Sequence, residues 1–595
     1  MCRGCFASLS AFSQMFEGGA DALGVLEQPQ ATRRGFMRFS AAAAAATAAL
    51  TSPRRSFAAE GGAETIFRGG VVIPMAGSQR YVQALAIAGG KIVGVGSEAA
   101  VMGLRTPSTK IVDLGGRVLL PGFVDPHHHT ILAAVVFELL TDVGFEVNPT
   151  RAKLIDALRA MASRTPPGQW ILASNFDNLL QGGDLSREEL DGVSTTHPIF
   201  VWYTNGHDAC INSMAFKAAG IPDDIGPLPG GGRFERDANG QFTGMVFEES
   251  AMLKVVSKAM PKITPTLAIK AVNDYLKTAA STGNTTVHEP GTIRSEWITP
   301  FSKFTNEAAC RCSASVMQED LKGLEPFRQY GVGARATQIP NSLFTLYGVK
   351  IVGDGSNQTR TGAQTKPYLD STDKGTPNLD AAQMKEAVAS VKAAGWPVMI
   401  HCNGDYTIDI ALDAIEAAYG KSQALGINRI EHSTMVRPDQ LARMKALGVE
   451  PSFLMNHVGL YGAAYRDQLF GPERTAFMDP AGACLKAGIP FTLHTDSPCS
   501  PPGPLRLIGT AVTRRCDFDN SIIGKDQAIP VGEALKAVTI NAARQIGMAD
   551  RIGSLEVGKE ADLTILEADP YKVDPDRIAG IPVSETWVAG RRKFG

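Results

Sequence analysis

From about residue 118 to residue 550 the chain repeats one pattern: a short apolar run of strand length, then an amphipathic stretch of helical period. The apolar runs end in His127 to His129, near Val287-His288-Glu289, near Ser313 to Met317, at Gly348-Val349-Lys350-Ile351-Val352, at Val398-Met399-Ile400-His401, at Arg429-Ile430-Glu431-His432, at Pro451 to Leu454 and at Thr492-Leu493-His494-Thr495-Asp496. Strands that alternate with helices must run parallel, because each helix carries the chain back across the sheet. Eight such units predict an α/β protein whose parallel sheet closes into a TIM-like (β/α)8 barrel. Polar residues stand at the ends of several runs, where a barrel of this kind carries its chemistry.

At 595 residues the chain is too long for one core, since single cores stop growing near roughly 250–300 residues. Short alternating strands broken by glycine lie before the barrel, as in Thr65-Ile66-Phe67-Arg68 and Lys91-Ile92-Val93-Gly94-Val95, and after it, as in Asp562-Leu563-Thr564-Ile565-Leu566 and Glu585-Thr586-Trp587-Val588. Residues 61–117 and 551–595 are therefore expected to form one small β-sandwich domain built from both chain ends, with 118–550 as the barrel. The interval of about 135–270 after the first barrel strand is too long for one crossover and holds its own strands, such as Ile199-Phe200-Val201-Trp202. An inserted subdomain is expected there, over the barrel mouth.

Residues 1–60 stand apart. Thr32-Arg33-Arg34-Gly35-Phe36-Met37-Arg38 precedes an alanine-rich run from Phe39 to Leu50, followed by small residues. This resembles a bacterial twin-arginine export signal, which implies handling by that export machinery and a periplasmic or exported protein. The run is far shorter than the roughly 20 apolar residues that cross a bilayer, so no stable membrane anchor is expected. Of nine cysteines, the seven beyond the signal have no CxxC spacing, which predicts buried thiols and no disulfide framework. Lysine plus arginine number 58 against 60 acidic residues, without long runs of one sign, which excludes a nucleic-acid partner. A small-molecule substrate fits better, and homo-oligomerisation stays open.

In Val124-Asp125-Pro126-His127-His128-His129, strand alternation would turn the imidazoles of His127 and His129 to one point and His128 aside, a chelating pair for a divalent ion such as zinc. Asp125 shares their face and is expected to accept a ring N–H. Lys350 sits between apolar neighbours; either it reaches outward among the helices, or it turns inward as a free amine paired with Asp354, as a nucleophile, or as a carboxylated lysine bridging two metals. His401 and His432 close successive strands and extend the ligand set. Asp496 ends the last strand, placed to take a proton from a metal-bound water, and His494 on its face is either support or packing.

Together with Gly553-Ser554-Leu555-Glu556-Val557-Gly558-Lys559-Glu560-Ala561-Asp562-Leu563, these motifs resemble the amidohydrolase superfamily. Asn205-Gly206-His207-Asp208, Asn212-Ser213-Met214-Ala215 and Thr243-Gly244-Met245-Val246-Phe247-Glu248 are similar to its YtcJ-like branch, which includes N-substituted formamide deformylase. The resemblance implies His127 and His129 on a more buried metal, Lys350 as a bridging carbamate, and His401 and His432 on a second metal. It makes Asp496 both ligand and general base, and assigns His207 and His457 to the substrate pocket. The chain departs from the branch at Met455-Asn456-His457 and Cys499-Ser500-Pro501-Pro502, both at the mouth, where the substrate is chosen.

Three functions follow in order: metal-dependent hydrolysis of a non-peptide C–N bond in a small amide or N-substituted formamide, ester or lactone hydrolysis at the same site, and a non-catalytic scaffold. A scaffold has no need for histidines and an aspartate at the ends of separate strands.

Overall fold

The computed structural model describes residues 62–595 apart from 229–231, 261–264, 331–336 and the single positions 207, 292 and 341. The segment read as an export signal and His207 lie outside the described residues.

Eight strands form the central sheet: β1 (Phe123–Asp125), β2 (Asn284–Pro290), β3 (Arg311–Met317), β4 (Phe344–Val352), β5 (Val398–Cys402), β6 (Arg429–His432), β7 (Glu450–Phe453) and β8 (Thr492–Leu493). They pair in parallel in chain order, and one short antiparallel strand, Thr337–Gln338, adds to β4. All eight runs read from the sequence are in this sheet. Their residues are buried on both faces, which explains why the runs read as continuous apolar stretches and not as alternation. Helices cover the outside through the usual stripe: Asp405–Tyr419 buries Ile408, Ala411, Leu412 and Ile415, spaced three and four apart.

β1 and β8 do not share a ladder. The Val124 N–H donates instead to the Val538 carbonyl at 2.9 Å. The sheet closes only above the strand ends, where the Asp496 N–H donates to the His127 carbonyl at 3.0 Å and the His129 N–H to the Ser497 carbonyl at 2.9 Å. Those two hydrogen bonds tie the HxH segment to the Thr-Asp-Ser segment, so the closure of the barrel is also the start of the site.

Both chain ends share one five-stranded sheet, in the order Val71–Val72, Val118–Pro121, Leu563–Leu566, Val583–Val588, Arg591–Phe594. Leu119 and Leu120, read from the sequence with the first barrel strand, pair with Ile565 and Thr564 instead. The run is one apolar stretch in sequence, but Gly122 breaks it: a Cβ there would lie 2.1 Å from the Thr285 side chain. A second, four-stranded sheet (Thr65–Arg68, Ala84–Ala88, Lys91–Gly96, Lys110–Asp113) shares its apolar cluster, with the Phe67 and Trp587 rings edge to face at 5.2 Å.

Between β1 and β2 the chain makes a six-stranded sheet, ordered Arg233–Arg236, Phe242–Phe247, Asp208–Ile211, Ile199–Tyr203, Ile171–Phe176, Thr141–Asp142. Its loops at Asp177 and Thr204 reach the barrel, where the Tyr461 hydroxyl donates to Asp177 at 2.6 Å. Among the described residues no helix is long and apolar enough to cross a membrane, and the seven cysteines are free, six of them buried.

Candidate metal centre

β1 stops at Asp125, so strand alternation does not orient the three histidines as the sequence suggested. Pro126 to His129 turn instead, and His129 becomes the N-cap of the helix Thr130–Leu139. The turn still brings the two rings together, with centroids 5.2 Å apart. Nε2 of His127 and Nε2 of His129 each lie 3.3 Å from Oδ1 of Asp496. His128 turns aside to Asp125 Oδ2 at 3.1 Å and to the Tyr275 ring. Asp125 therefore holds His128 and the Thr495 hydroxyl, not a ring of the chelating pair.

The acceptor for His127 is Glu431, on Nδ1. Glu431 is in turn gripped by Arg429, whose Nε and Nη2 donate at 2.7 and 2.8 Å. With Nδ1 committed to a carboxylate, Nε2 of His127 faces inward as a lone pair. Burial, then the nearby Lys350 ammonium, lowers the His127 pKa and keeps the ring neutral. Burial opposes ionisation of Glu431, but Arg429 and His127 outweigh it and hold this carboxyl well below the usual range.

Lys350 turns into the barrel: it is 1% exposed and its Nζ stands 3.4 Å from His127 Nε2. Burial brings its pKa down to about 8. The suggested pairing with Asp354 is not made. That carboxylate accepts backbone N–H groups from Ala363, Asn403 and Gly404 at 2.9–3.1 Å and so shapes the loop after β5.

The His401 and His432 rings lie 4.5 Å apart, and His432 is 4.9 Å from His127. Glu431 and His432 are neighbours, yet both serve the site, because His432 leaves the strand with φ +65° and swings its ring back inward. Asp496 has φ +54°. Left-handed backbone at side chains of this size is uncommon and concentrates where a site dictates geometry. Asp496 thus lies in the turn beyond β8, which ends at Leu493, and not on the strand as read from the sequence. His494 stacks on His127 at 4.6 Å and contacts His432 Nδ1 at 3.2 Å, so it supports the cluster from below.

The profile of the Amidohydrolase family matches residues 110–594. The chain belongs to this family. N-substituted formamide deformylase from Arthrobacter pascens is 27% identical over 536 residues, covering 86% of this chain and 95% of that protein. Putative amidohydrolase YtcJ from Bacillus subtilis is 25% identical over 544 residues, covering 89% and 99%. Among solved structures, a metal-dependent hydrolase from Pyrococcus horikoshii superposes with a TM-score of 0.67 at 24% identity, over 86% of this chain and 99% of that one, which supports the fold.

The donor set of this amidohydrolase fits a divalent cation. Ligand atoms of His127, His129 and Asp496 lie within 4.8 Å of one another, as do those of His127, His432 and His494. Nε2 of His432 is buried without a hydrogen bond, an arrangement that leaves a desolvated lone pair unless an ion takes it. Burial holds His401 and His432 well below the usual imidazole range, which keeps them in the neutral, ligating form.

Above the centre lies a small cavity of about 40 Å³ lined by His432, Asp496, Asn403 and His457 from the barrel and by Phe176, Asp177 and Thr204 from the inserted sheet. His457, on the first turn of the helix Asn456–Ala464, sits with Nδ1 3.2 Å from the Thr434 hydroxyl, and burial lowers its pKa to about 3. Sequence reasoning passed over Arg429, Glu431 and Glu289. The signal was present in Arg429-Ile430-Glu431, opposite charges two apart on a buried strand and so on one face. Glu289 ends β2's polar tip, 3.4 Å from His129 Nδ1, and accepts the Ile131 N–H at 2.9 Å.

Proposed function

We propose that this amidohydrolase cleaves the C–N bond of a small non-peptide amide, N-substituted formamides being the class suggested by its relative. The observation that carries the reading is the convergence of His127, His129, Lys350, His401, His432 and Asp496, from five separate segments, on one buried point. Zinc, as one or two ions, suits imidazole and carboxylate donors; His127, His129, His401, His432 and Asp496 would hold it, with Lys350 joining them if carboxylated. When bound, such an ion would supply Lewis-acid polarisation of a carbonyl and a more acidic water. Asp496, within reach of both chelating imidazoles, takes the proton of the attacking water and delivers it to the leaving nitrogen. Glu431 and Arg429 keep His127 in the right tautomer. His457 and Asn403 line the cavity, and the resemblance to the YtcJ-like branch assigns His207 to substrate binding.

Elemental analysis after metal supplementation, run beside hydrolysis of a panel of formamides, other amides, esters and lactones, tests this. Metal bound through His127 with turnover on amides is the expected result. Ester turnover without amide turnover overturns the bond assignment, and metal-free protein of undiminished activity overturns the mechanism. The Arg33-Arg34 pair supports export. Replacing both by Lys is expected to retain the protein in the cytoplasm, and unchanged export would remove that reading.

A further inference from the structure

Two cavities meet at Asp177. The inner one, about 40 Å³, touches Asp496 and His432; the outer one, about 230 Å³, opens past Phe137, Phe145 and Glu146. Asp177, Thr204, Tyr461, Cys499 and Ser500 line both, so they form the passage between them. The inner volume is several times smaller than the outer one, so the smaller half of a substrate fits the inner cavity and the larger half the outer.

Asp177 is 7% exposed. Its Oδ2 accepts the Tyr461 hydroxyl at 2.6 Å and its Oδ1 the Leu180 N–H at 3.0 Å, and among the described residues no lysine, arginine or histidine pairs with it. Burial without a cation raises its pKa, the sign of an uncompensated charge. The neighbouring acid Glu146 differs, since Arg506 already neutralises it. The outer cavity has no basic side chain in its lining.

A second acceptor stands beside the passage. The Ser500 hydroxyl donates to the Thr495 carbonyl, so it can only accept from Asn456, which fixes the Asn456 amide NH₂ toward Ser500 at 2.7 Å. Oδ1 of Asn456 is thereby left buried without a hydrogen bond, on a residue that lines the inner cavity and is 1% exposed.

We propose that Asp177 is a binding site for the amine half of the substrate, receiving it as a cation once the C–N bond is broken. This rests on the amide reading above. Hydrolysis breaks the C–N bond and forms a C–O bond; one water proton goes to the nitrogen, and the other, given up by the new carboxylic acid as it becomes a carboxylate, makes the released alkylamine, with a pKa near that of lysine, about 10.4, an ammonium at neutral pH. The small acyl group occupies the inner cavity, the Asn456 carbonyl accepts the amide N–H, and the nitrogen substituent extends past Asp177 into the outer cavity. The substrate class is accordingly a short-chain acyl amide of a primary amine, and bulky acyl groups are excluded.

The test is calorimetry of the metal-loaded full chain with n-butylammonium, with butyltrimethylammonium, which has no lone pair for a metal, and with n-butanol. Both cations are expected to bind the wild type at least about tenfold more tightly than the alcohol, and Asp177→Asn, which keeps the Tyr461 hydrogen bond, to lose that preference. Tyr461→Phe frees Oδ2 and is expected to strengthen it, which covers the case in which Asp177→Asn does not fold. A wild type without the preference, or either variant leaving it unchanged, overturns the proposal. Amide turnover of the same samples is read separately: cation binding lost in Asp177→Asn without hydrolysis of any amide would sink the amide reading alone, and amide hydrolysis with an Asp177-independent preference would sink the cation site alone.

Discussion

At the foot of the barrel the Arg311 guanidinium, 1% exposed, meets Asp562 at 2.6 and 3.1 Å and Glu560 at 2.9 Å, and Asp562 also takes the Ala589 N–H. At the mouth, Nε2 of His432 and Oδ1 of Asn456 are buried without a hydrogen bond, and the carboxylate of Asp177, though it accepts from Tyr461 and Leu180, has no cation beside it among the described residues. One barrel thus buries polar groups in two ways. At the foot the Arg311 charge is matched, and the match joins the barrel to the C-terminal strands, which is a stability arrangement. At the mouth the desolvation of those groups is at most partly compensated by the protein, and a ligand is what would complete that compensation. The backbone at the mouth is strained as well: His432, Ser433 and Asp496 all have positive φ.

Substitutions at the mouth and at the foot should then fail differently. His127→Ala removes a ligand shared by both donor groups and is expected to abolish bound metal and lower kcat/KM by about 10⁴ or more, with a melting temperature near that of the metal-free parent. Asp496→Asn is expected to lower kcat by about 10²–10⁴, the usual worth of a positioned base; a rate within threefold of wild type would remove Asp496 from that role. Arg311→Ala should reverse the pattern: about 3–5 kcal/mol less stable by chemical denaturation, because Asp562 stays buried without its cation, with the turnover of the remaining folded enzyme intact. If turnover fell before stability did, foot and mouth would be coupled and the contrast would break.

Glu431→Gln sharpens the contrast from inside the site. It keeps the shape but not the charge held between Arg429 and His127, and metal affinity is expected to fall about 10–100-fold while the fold persists, measured by competition with a chelator. The smallest effect is on pH dependence at His288, which is buried between Ser313 and Ser315 at 2.9 and 2.8 Å and is held well below its usual pKa by burial. Below about pH 6.5 the unfolded chain takes up a proton that the folded ring refuses, so stability falls as pH falls. His288→Gln should flatten that decline, and an unchanged slope between pH 7 and pH 5 would contradict the assignment.

Much of this was legible because the signals are local. Apolar runs of strand length alternating with helical stretches specify a parallel barrel, and histidines at run ends specify where its mouth is. The illegible part is where the chain leaves regular structure. Alternation predicts His127 and His129 on one face, yet β1 ends before them and a turn does the orienting; it predicts Glu431 and His432 on opposite faces, yet one left-handed residue brings both to the centre. Leu119 and Leu120 read as the approach to the site but belong to the sheet shared with Leu563–Leu566, because Gly122 permits a close crossing that no hydrophobic pattern reports. Lys350 between apolar neighbours fits either side of its strand; only the packed barrel turns it inward.

By itself, then, the sequence determined the periodicities, the residue types and their order, since those depend on side-chain chemistry and on the two repeat lengths of helix and strand. Tertiary structure alone decided which groups meet. Closure of the barrel through His127 to Asp496, the Arg429–Glu431–His127 chain and the meeting of Asp177 with Tyr461 across 284 residues are contacts between distant segments. Their geometry is set by packing and by a few strained dihedrals, quantities that no window of sequence contains.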